Sequence, residues 1–367
     1  MLEVAEIIRL HGAASLARVA DRILPSPRRA LRDRNACRTP ALGGHVHQGD
    51  HCGRQVYASH ACRNRHCPTC HRDQTDRWRT APRARRLPCA YYLLTFTRPD
   101  ALRPLARSPQ KTVYGRLMTR AAAALLPLAR DARYVGGRLG CLAVLPTWTR
   151  DLRYHPHVHL LVTAGGRFAD GRAWITPTYG SDLVPVQALS RIVRAKICAA
   201  LHHAGLLDPV PREIWTTPWV VHCQPAGRGQ TVLDYLGRYM LRVAIANSSL
   251  EQIQDGPVTF RDRDNRTPHV RRVTLSGVAF LQRFLQHVLP RGCRKVRDDG
   301  IWSPTCRQLD QARALLTVPL PAPTEAAPIT PTPPPAAADP PPLRCPPCRT
   351  GILIRVGVLL PQWMRAP

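Results

Sequence analysis

Nine residues near the middle of the chain, Tyr154-His-Pro-His-Val-His-Leu-Leu-Val162, constrain the fold more than any other stretch. Histidines 155, 157 and 159 alternate with other residues and run into an aliphatic tail that favours a strand. Successive strand side chains point to opposite faces, so His155, His157 and His159 are expected on one side. Imidazole is a common metal ligand, and two or three on one rigid strand make half of a metal site. An isolated His-x-His is more often a polar strand face turned to water. What separates the two readings lies downstream, in a segment that carries paired tyrosines.

The flanking pattern sets this strand in a packed α+β domain. Ala90 to Thr97 is an apolar run of strand length, and Ser108-Pro109 opens a helix that runs to about Leu128. Two strands follow, Arg138 to Trp148 and His155 to Thr163, then a helix from Val186 to Ala204 and a strand from Trp219 to Cys223. The order β-α-β-β-α-β is the split-βαβ arrangement around an antiparallel sheet, with the histidine strand third. A helix over Val232 to Ala246, strands near Val258–Arg261 and Val270–Thr274, and a helix from Ser276 to Leu289 complete the domain. The chain therefore divides into a helical segment (1–35, broken at Pro25 and Pro27), a cysteine-rich module (36–80) and a catalytic-type domain (86–316). A Pro/Ala-rich linker (317–342) and a tail (343–367) holding Cys345-Pro-Pro-Cys348 follow.

With 53 Lys+Arg against 24 Asp+Glu, the net charge of +29 points to a polyanionic partner, nucleic acid first. Only Lys111, Lys196 and Lys295 are lysines. A GC-rich coding sequence explains arginine over lysine, but not the excess of basic over acidic residues. No run of about eighteen apolar residues exists, so no membrane span is expected. The N-terminus lacks the pattern of a secretory signal, and a cytoplasmic, nucleoid-associated protein is expected. In that compartment the 13 cysteines read as metal ligands and core thiols rather than disulfides. Cys67-Pro-Thr-Cys70 has zinc-knuckle spacing; Cys37, Cys52 and Cys62, with His51 and His60, are candidates to complete a tetrahedral Zn2+ set. Arg63 and Arg65, with Arg54 and Arg72, would form a basic platform for DNA. His66 and His71 are expected to face solvent or phosphate, and Cys89, Cys141, Cys198 and Cys223 to be core thiols.

The segment Thr231 to Asn247 has an N-cap Thr231, Asp234 in its first turn, and an apolar stripe of Val232, Leu233, Leu236, Met240 and Val243. Tyr235 and Tyr239, four apart, stack one turn above the other, with Arg238 and Arg242 alongside as DNA contacts. Tyrosines bordering such a stripe are usually packing residues. A phenol, whose pKa is about 10, is a weak nucleophile at neutral pH. Beside a divalent cation that polarises a phosphodiester, its oxygen can attack phosphorus and expel a 3′-hydroxyl.

A His-hydrophobe-His strand followed by Tyr-x-x-x-Tyr on a helix resembles the HUH nucleases. More closely, the chain resembles the two-tyrosine rolling-circle transposases of the IS-ninety-one-like insertion-sequence family. The resemblance spans about residues 2 to 295. It rests on Ala41-Leu-Gly-Gly-His-Val46, Cys62-Arg-Asn-Arg-His-Cys-Pro-Thr-Cys70, His155-Pro-His-Val-His159, Asp234-Tyr-Leu-Gly-Arg-Tyr239, Arg242-Val-Ala-Ile-Ala-Asn-Ser248 and Phe284-Leu-Gln-His-Val-Leu-Pro290. Leu94-Thr-Phe-Thr97 is similar to the first-strand motif of the wider superfamily. The resemblance implies that His157 and His159 bind Mg2+ or Mn2+ and that Tyr235 and Tyr239 are the nucleophiles. The third ligand stays open between His155 and a carboxylate or amide elsewhere. Two imidazoles suit manganese better than magnesium. The implied substrates are single-stranded or hairpin element termini and target DNA. Relatives usually carry Cys-x-x-Cys where this chain has Gly49-Asp-His-Cys52, and tend to carry His-Tyr before the glycine of Arg297-Asp-Asp-Gly300.

Three functions compete on this sequence. The first is a strand transferase that nicks DNA, links to its 5′ end through Tyr235 or Tyr239 and passes the strand to a target. The second is a replication-initiating nickase of the same chemistry. The third is a zinc-dependent DNA-binding relic without activity. The cysteine module and the Arg242–Ser248 block favour the first.

Overall fold

The computed structural model describes residues 2–19, 23–70, 87–106, 109–149, 151–168, 170–177, 182–208, 210–228, 244–253, 256–263, 269–317 and 343–364. The chain forms two compact units, residues 1–30 with 65–318, and residues 31–64 with 319–367. Tyr235, Tyr239, Arg238, Arg242, Arg72, His71 and the Pro/Ala-rich linker lie outside the described residues.

In the larger unit a five-stranded antiparallel sheet holds the histidine strand at its centre. Its strands are β3 (Ala90–Thr97), β4 (Gly140–Val144), β5 (His157–Thr163), β8 (Val220–Arg228) and β12 (Val296–Gly300), in the order β12-β4-β5-β3-β8. Two helices, α3 (Gln110–Ala129) and α4 (Val186–His202), connect β3 to β4 and β5 to β8; each connection skips over one antiparallel strand. Alternation explains the layering. Phe96, Val158, Leu160, Val162, Cys141 and Ala143 pack with Leu117, Leu125, Val193 and Ile197 of the helices. Tyr91, Leu142, Val144 and Leu161 point the other way, onto Ile301, Trp302 and Ala312. Burying each such side chain contributes about 1.5–3 kcal/mol.

The histidine strand begins at His157, not His155. Pro156 offers no amide hydrogen, and His155 and His157 donate instead to the Thr147 and Pro146 carbonyls of the preceding loop. At the other margin, β8 runs on to Arg228 through Pro225, which an edge strand tolerates. Around the start of the chain, α1 (Val4–Val19) packs on α5 (Gly277–Leu285), where the His11 ring leaves no room for a side chain at Gly277. Ser276 caps α5 by accepting from the Ala279 amide. A three-stranded sheet of β9 (Leu250–Ile253), β10 (Pro257–Arg263) and β11 (Val270–Ser276) precedes it. α2 occupies Pro25–Asn35, so Pro25 and Pro27 open a helix rather than break one; first-turn amides need no helical acceptor.

The smaller unit is built on a sheet of order β13-β1-β2: β1 (Gly44–Gly49) and β2 (Gln55–Ser59) form a hairpin, and β13 (Leu353–Leu359) adds antiparallel to β1. The tail is thus part of the cysteine-rich fold, not a separate appendage. No helix among the described residues is long and apolar enough to cross a membrane.

Candidate active site and metal centres

His157 and His159 project from β5 on the face opposite the two helices. Their rings lie 4.8 Å apart, nearly perpendicular. His157 is 9% exposed. Its Nδ1–H donates to the His155 carbonyl at 2.7 Å, which fixes the tautomer and leaves Nε2 as the acceptor nitrogen. His159 Nδ1 pairs with the Thr95 hydroxyl at 2.9 Å across the β3–β5 ladder, where the two residues are register partners. Burial is the main cause that holds the His157 pKa down to about 4 and that of His159 to about 3, so both rings are neutral at physiological pH. Two neutral imidazoles, each with Nδ1 engaged by a neighbour, are the donor set that a divalent transition ion such as Mn2+ accepts.

His155 stands apart from this pair. Its Nδ1 lies 3.7 Å from Asp100, in the turn after β3, although its ring centroid is 5.4 Å from that of His157. Among the described residues, the three histidines do not bring three ring nitrogens within 4.8 Å of one another. The sequence reading missed His222. Thr95 pairs with His159 on one side and with His222 on the other, so the three residues share one face of the sheet. His222 is exposed. Its signal was the alternation Val220, His222, Gln224 along an edge strand.

The loop into the histidine strand is braced from below. His287 is buried, with Nε2 3.1 Å from the Leu152 carbonyl and Nδ1 3.3 Å from the Thr147 hydroxyl. Burial holds its pKa down to about 4. Asn247, the last residue of the tyrosine segment, accepts from the Val4 amide at 3.2 Å and donates to the Thr69 hydroxyl at 3.3 Å.

The cysteines sort into two groups. Cys37, Cys62, Cys67 and Cys70 bring their sulfurs within 4.8 Å of one another, a full tetrahedral thiolate set. Arg38 and Arg63, directly after Cys37 and Cys62, adopt left-handed backbone at φ 55° and 52°. Cys52 belongs instead with Cys345 and Cys348. His51 and His60 join neither group; His60 Nε2 lies 3.2 Å from His45 Nε2. Both candidate DNA-binding arginines before Cys67 are exposed. Arg65 nevertheless donates to the carbonyls of Cys293 (2.8 Å), Leu289 (3.1 Å) and Pro290 (2.8 Å). His66 accepts from the Leu289 amide. Cys89 and Cys141 are buried, while Cys223 packs at the core margin.

Comparison with known proteins adds three findings. A family model provisionally described as a transposase matches residues 140–309, and the model of a transposase zinc-binding domain of IS91 type matches residues 7–98. The protein y4qJ of Sinorhizobium fredii (strain NBRC 101917 / NGR234), provisionally named a transposase, is 37% identical over 345 residues, covering 88% of this chain and 86% of that one. The transposase for insertion sequence element IS801 of Pseudomonas savastanoi pv. phaseolicola is 30% identical over 286 residues, covering 72% and 67%. No solved structure matches the chain.

Proposed function

Because the chain belongs to the IS91-type family of insertion-sequence transposases, we propose that it cuts and rejoins single-stranded DNA at element ends through a 5′-phosphotyrosine. The family acts on DNA, and Cys37, Cys62, Cys67 and Cys70 fit the Zn2+ of its zinc-binding domain. The observation that carries the cleavage reading is the neutral pair His157 and His159 on the central strand, each ring oriented by a hydrogen bond. The strand order β12-β4-β5-β3-β8, with both helices on one face, supports a split-βαβ sheet of HUH type.

His157 and His159 would hold Mn2+ or Mg2+. When bound, that ion supplies positive charge to the non-bridging oxygens of a phosphodiester. Tyr235 or Tyr239 is the nucleophile: its phenolic oxygen bonds to phosphorus, its proton leaves to solvent, and the bond from phosphorus to the 3′ oxygen breaks. The departing 3′ oxygen takes up a proton from solvent to become a 3′-hydroxyl, and the 5′ phosphate stays on the enzyme as an ester. Attack by another 3′-hydroxyl reverses the chemistry on a new strand without ATP. A second tyrosine, one helical turn away in the sequence pattern, allows two ends to be held in succession. The net charge of +29 suits the polyanionic substrate.

The test is to trap the adduct on a 3′-labelled oligonucleotide with manganese and map the modified peptide. A labelled peptide containing Tyr235 or Tyr239, lost on Tyr→Phe substitution, is expected. A nick with no protein-linked DNA would refute the reading.

A further inference from the structure

We infer that the smaller unit holds a second zinc ion, bound by the thiolates of Cys52, Cys345 and Cys348, with the fourth coordination position open over Gly49. The inference does not depend on the proposed strand transfer.

The two loops that carry these residues are built alike. In the first, the Gly53 amide donates to the Gly49 carbonyl at 2.8 Å and Gly53 has φ 68°. In the second, the Arg349 amide donates to the Cys345 carbonyl at 2.8 Å and Arg349 has φ 60°. Gly49 and Cys345 are therefore equivalent positions, as are Cys52 and Cys348. Each loop is a Cys-x-x-Cys knuckle in backbone, but the first lacks one of its two thiols. An arginine held in left-handed backbone is uncommon, and here it follows from the same turn that a glycine makes in the other loop.

The knuckles face each other. Cys52 Sγ is 3.6 Å from Cys345 Sγ, and all three sulfurs lie within 4.8 Å of one another. The first distance is far longer than the ~2.05 Å of a disulfide. It matches the edge of a tetrahedron with metal–sulfur bonds of about 2.3 Å, which is about 3.8 Å. Cys345 is fully buried. The amides of Thr350 and Gly351 and the Thr350 hydroxyl point at the Cys348 sulfur, the pattern that favours thiolate. Asp50, between Gly49 and Cys52, accepts from the Ile352 amide at 2.9 Å and donates its own amide to the Ile352 carbonyl at 3.1 Å, so the loops are clamped together.

The missing ligand is equally specific. A Cβ built on Gly49 would stand 2.7 Å from Cys345 Sγ and 2.9 Å from Cys52 Sγ, so this position faces the thiol group, and the two sulfurs must draw back for a side chain to fit there. The Gly49 backbone lies outside the left-handed region, so a cysteine can adopt it. Three thiolates leave the fourth position to water, and an ion so held exchanges faster than one in a closed four-sulfur site. Its structural role is to fasten β13 to β1 at the far end of the chain.

Full-length protein is purified under reducing conditions and its zinc counted by mass spectrometry, with release followed by a chromogenic chelator. Two zinc ions per chain are expected, one released well before the other. Cys345→Ser with Cys348→Ser should leave one ion, the slowly released one. Gly49→Cys should keep two and slow the early release by roughly tenfold or more. Zinc-edge X-ray absorption of the unmutated protein needs no variant to fold. It should give a mean sulfur number between three and four per zinc, rising to four in Gly49→Cys. One ion in the unmutated protein, early release unchanged in Gly49→Cys, or a Cys52–Cys345 disulfide in a non-reducing peptide map would each overturn the site.

Discussion

The Nδ1 of His157 lies 2.7 Å from the carbonyl oxygen of His155, so the first histidine of the trio serves the second through its backbone. The interaction fixes which nitrogen of His157 faces an ion, and any side chain at position 155 supplies the same carbonyl. His155→Ala should therefore retain manganese-dependent nicking of single-stranded DNA within about tenfold. His157→Ala or His159→Ala should reduce it by about a hundredfold or more. Equal losses in all three variants would make His155 a ligand and contradict the division of roles drawn from this geometry.

Thr95 sets the orientation of His159 from the neighbouring strand. Thr95→Val keeps the shape and β-propensity and removes the hydroxyl. Outer partners of metal-bound histidines typically contribute 10–100-fold in metal affinity. The expected outcome is a rise of that size in the manganese concentration needed for half-maximal nicking. Activity at saturating metal should be largely retained, and Thr95→Ser should restore the affinity. A fall in activity that saturating metal does not recover would assign Thr95 another role.

A buried chain of hydroxyls holds the loop into β5 against α3. Tyr114 and Tyr154 are 2.6 Å apart through their phenol oxygens, and Tyr154 donates onward to the Ala106 carbonyl at 2.7 Å. Tyr154 gives its only hydroxyl hydrogen to Ala106, so Tyr114 is the donor between the two phenols, and burial pushes the Tyr114 phenol far above its usual range. Tyr154→Phe strands both the Ala106 carbonyl and the Tyr114 hydroxyl, at a cost of about 2–3 kcal/mol. Tyr114→Phe leaves the onward bond in place and should cost about 1 kcal/mol. Urea denaturation of the two variants checks the order, and a reversed order would mean that the chain of donors runs the other way.

These contacts show which parts of the molecule sequence reasoning could reach. The strands around His157 and His159 follow from period-two alternation, and the connecting helices from length and periodicity. Local rules failed where their physical premise did not apply. Pro225 reads as a strand end, yet it sits on the sheet's edge opposite Tyr92, where its missing amide costs no ladder bond, and the hidden continuation carries the strand to Arg228. Pro25 and Pro27 read as breaks, yet they occupy a first helical turn. The union of Cys52 with Cys345 and Cys348 was illegible for a different reason: 293 residues separate the first two, and no local period encodes such a pairing. Zinc-ligand spacing identified the half-sites but not their partners.

Arg63 and Arg65 look interchangeable in Cys62-Arg-Asn-Arg-His-Cys67, and both suggest phosphate contacts. Their geometry separates them. Arg65 directs its guanidinium at three carbonyls after α5, so its loss should lower stability by about 1–2 kcal/mol after allowing for partial exposure. That corresponds to a melting shift of roughly 2–6 °C. Arg63 is exposed and sits in left-handed backbone. Arg63→Ala should leave the melting temperature unchanged, weaken DNA binding, and reduce the slope of log affinity against log salt by about one. Melting curves and salt titrations on the two variants separate structural from phosphate-binding charge. If Arg65→Ala shallowed the salt slope without moving the melting temperature, its carbonyl contacts would not be its role, and both arginines would belong to the DNA-facing surface.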